Sequence, residues 1–109
     1  MSLNNQRVIQ YKKDQADKNK KIVYSAVRDL KKPVTSTEVF RYINRKVSDI
    51  ALKQFQEQYE QGNIVSTSKD KYVRAFLKKK GLTLRTVQRQ LRGLSETGFL
   101  VNRLRQYSL

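Results

Sequence analysis

The side chains best suited to binding chemistry lie in the run LRTVQRQLRGLSET, which contains three arginines and two glutamines within eight positions. At 100° per residue, Arg85, Arg89 and Arg92 share one side of a helix, and Gln88 and Gln90 lie on its flanks. An arginine guanidinium can clamp a phosphate or both acceptors of guanine, and a glutamine amide can both donate to and accept from adenine. The spacing therefore predicts a helix face that binds a polyanion.

The sequence contains few side chains suited to catalysis or to metal binding. Histidine, the commonest general base and metal ligand, is absent, and zero cysteines exclude disulfides, thiolate catalysis and cysteine-ligated zinc. Glu57 and Glu60 have helical spacing but are typical of a solvated face, and no glycine-rich phosphate loop occurs. We predict no enzyme activity, no metal and no cofactor; a nuclease that uses lone carboxylates is the remaining alternative.

Charge is unevenly distributed along the 109 residues, whose net charge is +15. Residues 1–32 carry nine basic and three acidic side chains, residues 33–68 carry four of each, and residues 69–109 carry eleven basic and two acidic. Such self-repulsion opposes folding, which favours a polyanionic partner over a merely solvated basic surface. No apolar run is long enough to span a membrane, and the basic segments lack large apolar faces, so no membrane partner is predicted.

Two helices are predicted before the middle of the chain. The first covers residues 19–31 and ends before Pro33, since proline cannot continue a helix. The residue after this proline, Val34, is predicted to form a short strand. A capping box, Thr35 to Glu38, then begins a helix over residues 36–47. The expected buried stripes are Ile22, Val23, Ala26, Val27 and Leu30 in the first helix, and Val39, Phe40, Ile43 and Val47 in the second.

The segment 48–82 is predicted to hold two further helices. One covers residues 49–61, with Leu52, Phe55 and Tyr59 on one side, and Gly62-Asn63 ends it. Because that side does not continue the Val39 stripe, we expect a kink or break near Ser48–Asp49. The other helix covers residues 69–80 and ends at Gly81.

The arginine helix needs a core to hold it. Thr83 is a plausible N-cap, and Leu84, Val87, Leu91 and Leu94 form an apolar stripe opposite the arginines. Gly98 stands where a left-handed C-terminal cap is expected. The alternative is a solvent-exposed basic helix that only covers the core.

The run TLRTVQRQLRGLSETGFL, residues 83–100, resembles the recognition helix and exit strand of winged helix-turn-helix transcription regulators. The resemblance implies a mainly α, winged-helix-like bundle over residues 19–109, with a short C-terminal β wing and an insertion over 48–82. Residues 1–18 would be a basic arm or frayed helix. The implied groove-facing set is Arg85, Thr86, Gln88, Arg89 and Arg92. Backbone contacts are expected from Lys78, Lys79 and Lys80 and, in the wing over 99–109, from Arg103 and Arg105.

This sequence departs from the family pattern in two ways. Thirty-five residues separate the second helix from the recognition helix, and the wing is short. Either 48–82 is an inserted helical pair or helix 69–80, rather than helix 36–47, pairs with the recognition helix.

The predicted function is sequence-specific binding of double-stranded DNA, most simply in transcription regulation. The expected location is intracellular, either cytoplasmic and associated with a nucleoid or nuclear. Replication or plasmid maintenance belongs to the same class. The alternatives are an RNA or ribonucleoprotein component and a winged-helix protein–protein adaptor. A homodimer is also compatible with the sequence, because one short groove contact rarely supplies enough specificity.

Overall fold

The computed structural model describes residues 3–64 and 69–109 of the chain, and residues 1–2 and 65–68 lie outside the described residues. Over these ranges the protein is mainly helical, as predicted. The helices are α1 (Leu3–Leu30), α2 (Ser36–Glu60), α3 (Lys69–Lys80) and α4 (Leu84–Glu96). Two antiparallel strands, β1 (Val101–Arg103) and β2 (Gln106–Ser108), form a C-terminal hairpin. Within the described ranges, no helix combines the length and the apolar character needed to cross a bilayer.

The first helix, α1, is continuous across the boundary expected near residue 18. Its sequence contains neither proline nor glycine, so nothing in the backbone chemistry interrupts it there. The side chains of residues 12–18 are exposed. The described part of the predicted arm, from residue 3, is therefore a helical extension of the same rod that enters the core.

The core-facing side of α1 is narrower than the sequence predicted. Val23, Ala26 and Val27 are buried, whereas Ile22, expected in the same stripe, is exposed and lines a groove between α1 and α2. The neighbouring helices cover only the side of α1 that carries Val23 and Val27. Ile22 lies at the edge of this covered side. The helix ends at Leu30, one residue before the predicted end at residue 31 and three positions before Pro33.

The second helix begins with the predicted capping box. The Thr35 hydroxyl accepts a hydrogen bond from the Glu38 amide at 3.2 Å, and the Glu38 carboxylate accepts from the Thr35 amide at 3.3 Å. This reciprocal pair satisfies backbone donors that the first helical turn otherwise leaves without partners.

The predicted break near Ser48–Asp49 is wrong, because α2 continues without interruption to Glu60. Its apolar positions recur every fourth residue, and each such step turns the buried face by about 40° around the helix. The stripe therefore drifts instead of stopping, so that one continuous helix faces different neighbours along its length. The buried members of this stripe are Val39, Ile43, Ala51 and Phe55.

The second half of α2 and the whole of α3 form a helical hairpin. The Phe55 ring lies 5.6 Å from the Tyr72 ring, and the Tyr72 ring lies 6.4 Å from the Phe76 ring, measured between centroids. The α3 side chains are half-buried or exposed, since α3 packs chiefly against α2. The segment 48–82 is thus the distal half of one long helix followed by a second helix. Helix α4 packs against α1 and α2.

One apolar core joins α1, the start of α2, α4 and the C-terminal β-hairpin. Strand β2 also pairs with the loop before α2, where the Val34 and Tyr107 amides donate to each other's carbonyls at 2.9 and 2.7 Å. Val34, predicted to form a short strand, forms a single isolated β-bridge with Tyr107 and no strand of its own. The buried core consists of Val23, Ala26, Val27, Val34, Val39, Ile43, Val87, Leu91, Leu94 and Leu100.

A polar contact adds to the α1–α2 packing outside this core. The Asp29 carboxylate accepts hydrogen bonds from the Lys46 ammonium and from the Tyr42 hydroxyl, both at 3.2 Å. The hydrogen bond from Lys46 lowers the pKa of Asp29 below its usual value, and the bond from Tyr42 acts in the same direction. This exposed cluster connects α1 and α2.

Candidate nucleic-acid interface

The first turn of α4 begins with the predicted threonine cap. Thr83 has extended backbone angles, and its hydroxyl oxygen accepts a hydrogen bond from the Thr86 amide at 3.1 Å. The Thr83 hydroxyl also donates to the Thr86 hydroxyl at 2.9 Å. Thr86, predicted to face a groove, is therefore half-buried and engaged in the cap. Its contact with a ligand stays a prediction.

The turn before α4 is held by a side-chain clamp from the middle of α2. The Asn44 amide group donates to the Leu82 carbonyl at 3.0 Å, and the Leu82 amide donates to the Asn44 carbonyl oxygen at 3.1 Å. The two hydrogen bonds fix both the position and the direction of the chain as it enters α4. They link residues that are 38 positions apart in the sequence.

Gly81 leaves room for this clamp. A Cβ atom at this position would lie 2.6 Å from the Leu77 carbonyl oxygen and 2.8 Å from the Asn44 Oδ1 atom. Both distances are shorter than van der Waals contact, and the first involves backbone. The close approach gives a reason for glycine here beyond ending α3.

We expect Gly81→Ala to lower the free energy of unfolding by about 1–3 kcal/mol, because the chain must shift away from Leu77 and strain the Asn44 clamp. Chemical denaturation measures this change. Gly93→Ala is the matched control: nothing lies within 4 Å of its Cβ position, and alanine in a helix interior is favoured over glycine by roughly 0.5–1 kcal/mol. An unchanged unfolding midpoint in Gly81→Ala would contradict the proposed role of the turn.

The outward face of α4 presents the predicted basic and amide groups to solvent. Arg85, Gln88, Arg89 and Arg92 are all exposed. Among the described residues, the ion pairs present involve none of the three arginines. Three positive charges therefore stand on one helix face, and no carboxylate of the described ranges forms an ion pair with them.

The opposite face of α4 anchors this row of charges. Val87, Leu91 and Leu94 are buried, as predicted, and Leu84 is half-buried. At the far end, Gly98 has a φ of 84°, and the following amides donate to the Leu94 carbonyl, which ends the helix at the predicted cap. The orientation of the arginines is thus set by the burial of the residues behind them.

Electrostatics at the start of α4 also favour an anion. The first turn contains Arg85 and no acidic residue, although carboxylates are the groups that stabilise a helix N-terminus. The partial positive charge of the helix end and the guanidinium charge therefore add. An anionic ligand would neutralise both.

The predicted lysine contacts, Lys78, Lys79 and Lys80, are exposed and occupy the last turn of α3. Cations in that position already stabilise the negative end of a helix, so the lysines have a structural role of their own. Only residues 81–83 separate them from α4, which brings their charge close to the positive start of the arginine helix.

The hairpin presents the remaining two predicted contacts. Arg103 lies at the end of β1 opposite Gln106, and Arg105 occupies the turn with a φ of 65°. Both side chains are exposed. Because Tyr107 ties β2 to Val34, these arginines have a fixed attachment to the core.

Within residues 3–64 and 69–109, no three potential ligands among histidine, cysteine, aspartate and glutamate come together in a way that could hold a metal ion. The notable side-chain grouping on this surface is the set of arginines on α4.

No protein-family model matches this chain, and comparisons with curated proteins and with solved structures find no match either.

Two residues near this surface lay outside the sequence predictions. Asn44 carries no local signal, because its hydrogen-bond partner is remote in the chain. Leu104, at the hairpin tip, stands between two arginines in the run NRLRQ, and an apolar residue in so polar a turn is a signal that sequence inspection can find. Both add to the predicted set rather than replace it.

Proposed function

We propose that this protein binds double-stranded DNA in a sequence-specific manner, with α4 as the helix that reads the major groove. The observation that carries the proposal is the row of exposed guanidiniums on α4, which take part in none of the ion pairs among the described residues and stand opposite the buried side chains of Val87, Leu91 and Leu94. The proposal involves no catalytic step, no metal and no cofactor.

The order of elements supports a winged-helix arrangement. Helix α1, the extended residue Val34, the first half of α2, helix α4 and the C-terminal hairpin follow one another as in winged helix-turn-helix regulators. The pairing of Val34 with Tyr107 joins the start of this sequence of elements to its end. In this interpretation α4 is the recognition helix, the hairpin is the wing, and the distal half of α2 with α3 is an insertion.

The dimensions of α4 suit a major groove. Its 13 residues give a rod about 20 Å long, and the B-DNA major groove is about 12 Å wide and accepts one helix. Arg85, Arg89 and Arg92 are spaced by about 6 and 4.5 Å along the axis. Neighbouring base pairs are about 3.4 Å apart, so these side chains can reach successive base pairs.

The basic side chains around α4 supply contacts that position this helix on the duplex but do not recognise a particular sequence. Lys78, Lys79 and Lys80 lie just before α4, and Arg103 and Arg105 follow it in the hairpin. Lysine and arginine contacts to phosphates dominate affinity and make it dependent on salt. Duplex DNA is favoured over duplex RNA because the major groove of A-form RNA is too deep and narrow for side chains to read.

Selection from a random duplex-DNA library at two salt concentrations tests this proposal. We expect one enriched sequence that persists at the higher salt, and a palindromic sequence would indicate that the protein binds as a dimer. The matched control is a variant with Arg85, Arg89 and Arg92 all replaced by alanine, which should enrich nothing.

Competition with duplex RNA at fixed salt completes the experiment. Stronger competition by RNA than by the selected DNA would support an RNA-binding role instead. Absence of any nucleic-acid binding at about 150 mM salt would support a protein–protein adaptor. Either result would overturn the proposed function.

A further inference from the structure

The tip of the hairpin carries an apolar side chain that the fold does not use. Leu104 is 97% exposed, and its φ of 51° lies in the left-handed region, as does that of Arg105. Two-residue hairpin turns with both residues at positive φ strongly prefer Asn-Gly, because other side chains are disfavoured there. A leucine at this position costs conformational free energy and contributes nothing to the core.

The support beneath Leu104 is firm. Strand β2 is bonded to Val34 through both Tyr107 backbone groups, and Leu100, at the base of β1, is buried. Arg103 and Gln106 form the last strand pair before the turn, directly after the pair that contains Tyr107. The leucine is therefore displayed by a short hairpin that is attached to the core at its base.

The chemistry of the tip combines one apolar group with two charges. Arg103 and Arg105 flank Leu104, are exposed, and take part in none of the ion pairs found among the described residues. Guanidiniums are drawn to the negative potential of a narrow minor groove, and a leucine between them would enter the same groove. Apolar side chains that enter a minor groove push between base pairs and bend the duplex.

We infer that Leu104 is a wedge that enters the minor groove of the bound duplex and opens a base step there. The inference rests on the proposed function and assigns to the hairpin tip a role in bending DNA. Flexible pyrimidine–purine steps, TA and CA/TG, unstack most easily, so the protein should prefer one of them where the tip lands. Sequence preference would then extend beyond the base pairs that α4 contacts.

A second copy of this chain is a poorer occupant for the tip. The protein carries a net charge of +15, and the tip itself adds two positive charges around a single leucine. Bringing two such surfaces together is opposed by repulsion, and one leucine buries too little area to offset it. A polyanion with an apolar interior can bind both the two arginines and the leucine of the tip.

Leu104→Asn and Leu104→Met test the wedge. Asparagine tolerates the left-handed conformation, so the hairpin should be retained while the apolar group is lost. Methionine keeps an apolar group of similar volume. The probe is the duplex recovered by selection, labelled at its two ends with a fluorescent donor and acceptor, so that energy transfer reports the bend.

We expect the wild-type protein to bend this duplex, and apolar wedges bend DNA by about 20–90°. Leu104→Asn should return the energy transfer to that of the free duplex and weaken specific binding about ten-fold, with an unchanged salt dependence because no charge is lost. Leu104→Met should bend the duplex as the wild type does.

The outcomes separate this inference from the proposed function. Normal bending and affinity in Leu104→Asn, or a wild-type complex with a straight duplex, would overturn the wedge alone. If Leu104→Asn loses bending, its unfolding midpoint shows whether the hairpin is still folded. If the hairpin has unfolded, Leu104→Met decides the question: bending like that of the wild type supports the wedge, and loss of bending overturns it. A wild-type protein that binds no duplex would overturn both proposals.

Discussion

Replacing Leu91 with alanine is expected to lower the free energy of unfolding by about 2–5 kcal/mol, as large-to-small substitutions in tightly packed cores do. Leu91 is 0% exposed and lies at the centre of the stripe that attaches α4 to the core. Removing it leaves a cavity where α4 packs on α1 and α2. Since small domains are stable by only about 5–15 kcal/mol, this single change threatens the fold. Denaturant titration followed by circular dichroism measures the loss.

Leu52→Ala is the matched control for Leu91→Ala. Leu52 is 38% exposed within α2, so the same chemical change should cost clearly less stability than at Leu91, which is 0% exposed. Equal losses in the two variants would contradict the assignment of Leu91 to the core. Leu91→Ala should also weaken DNA binding only to the extent that the protein is unfolded under the assay conditions.

Replacing Arg89 with alanine is expected to weaken binding to the selected duplex by about 1–3 kcal/mol and to relax sequence preference at the base pair it reads. Arg89 occupies the middle of the exposed row on α4 and has no carboxylate partner among the described residues. Its removal should therefore weaken DNA binding and leave the stability of the fold unchanged. Fluorescence anisotropy with the selected and a scrambled duplex measures the change, and the unfolding midpoint should stay constant.

Lys79→Ala is the comparison that separates reading from positioning. Because a lysine at the end of α3 is proposed to contact phosphates, its loss should weaken binding to both duplexes similarly. It should also reduce the slope of log affinity against log salt by about one unit. If Arg89→Ala and Lys79→Ala caused equal losses on selected and scrambled DNA, the proposed division of roles would be wrong.

Local capping signals predicted three of the helix ends correctly. The capping box at Thr35 and Glu38, the cap at Thr83 and the left-handed glycine at Gly98 are all present where they were expected. Each depends on side chains and backbone groups at most six residues apart, and this short range is what a sequence pattern contains.

Predictions that depend on neighbouring helices were less accurate. The expected break at Ser48–Asp49 failed because two apolar patterns on different sides were interpreted as two helices. A single helix with a drifting stripe satisfies both patterns when different partners cover its two halves. Ile22 is exposed for a related reason, since the width of a buried face depends on how closely the adjacent helices approach.

By itself, the sequence determined that this chain is mainly helical, strongly basic, and able to present three arginines opposite an apolar stripe on one helix. Composition and the period of the α-helix suffice for these properties. Only the tertiary structure decided how that helix is held: by the Asn44 clamp on Leu82, by the bonds between Val34 and Tyr107, and by the packing of α4 on α1 and α2. Those contacts join residues far apart in the chain, and their geometry arises only when the whole core has assembled.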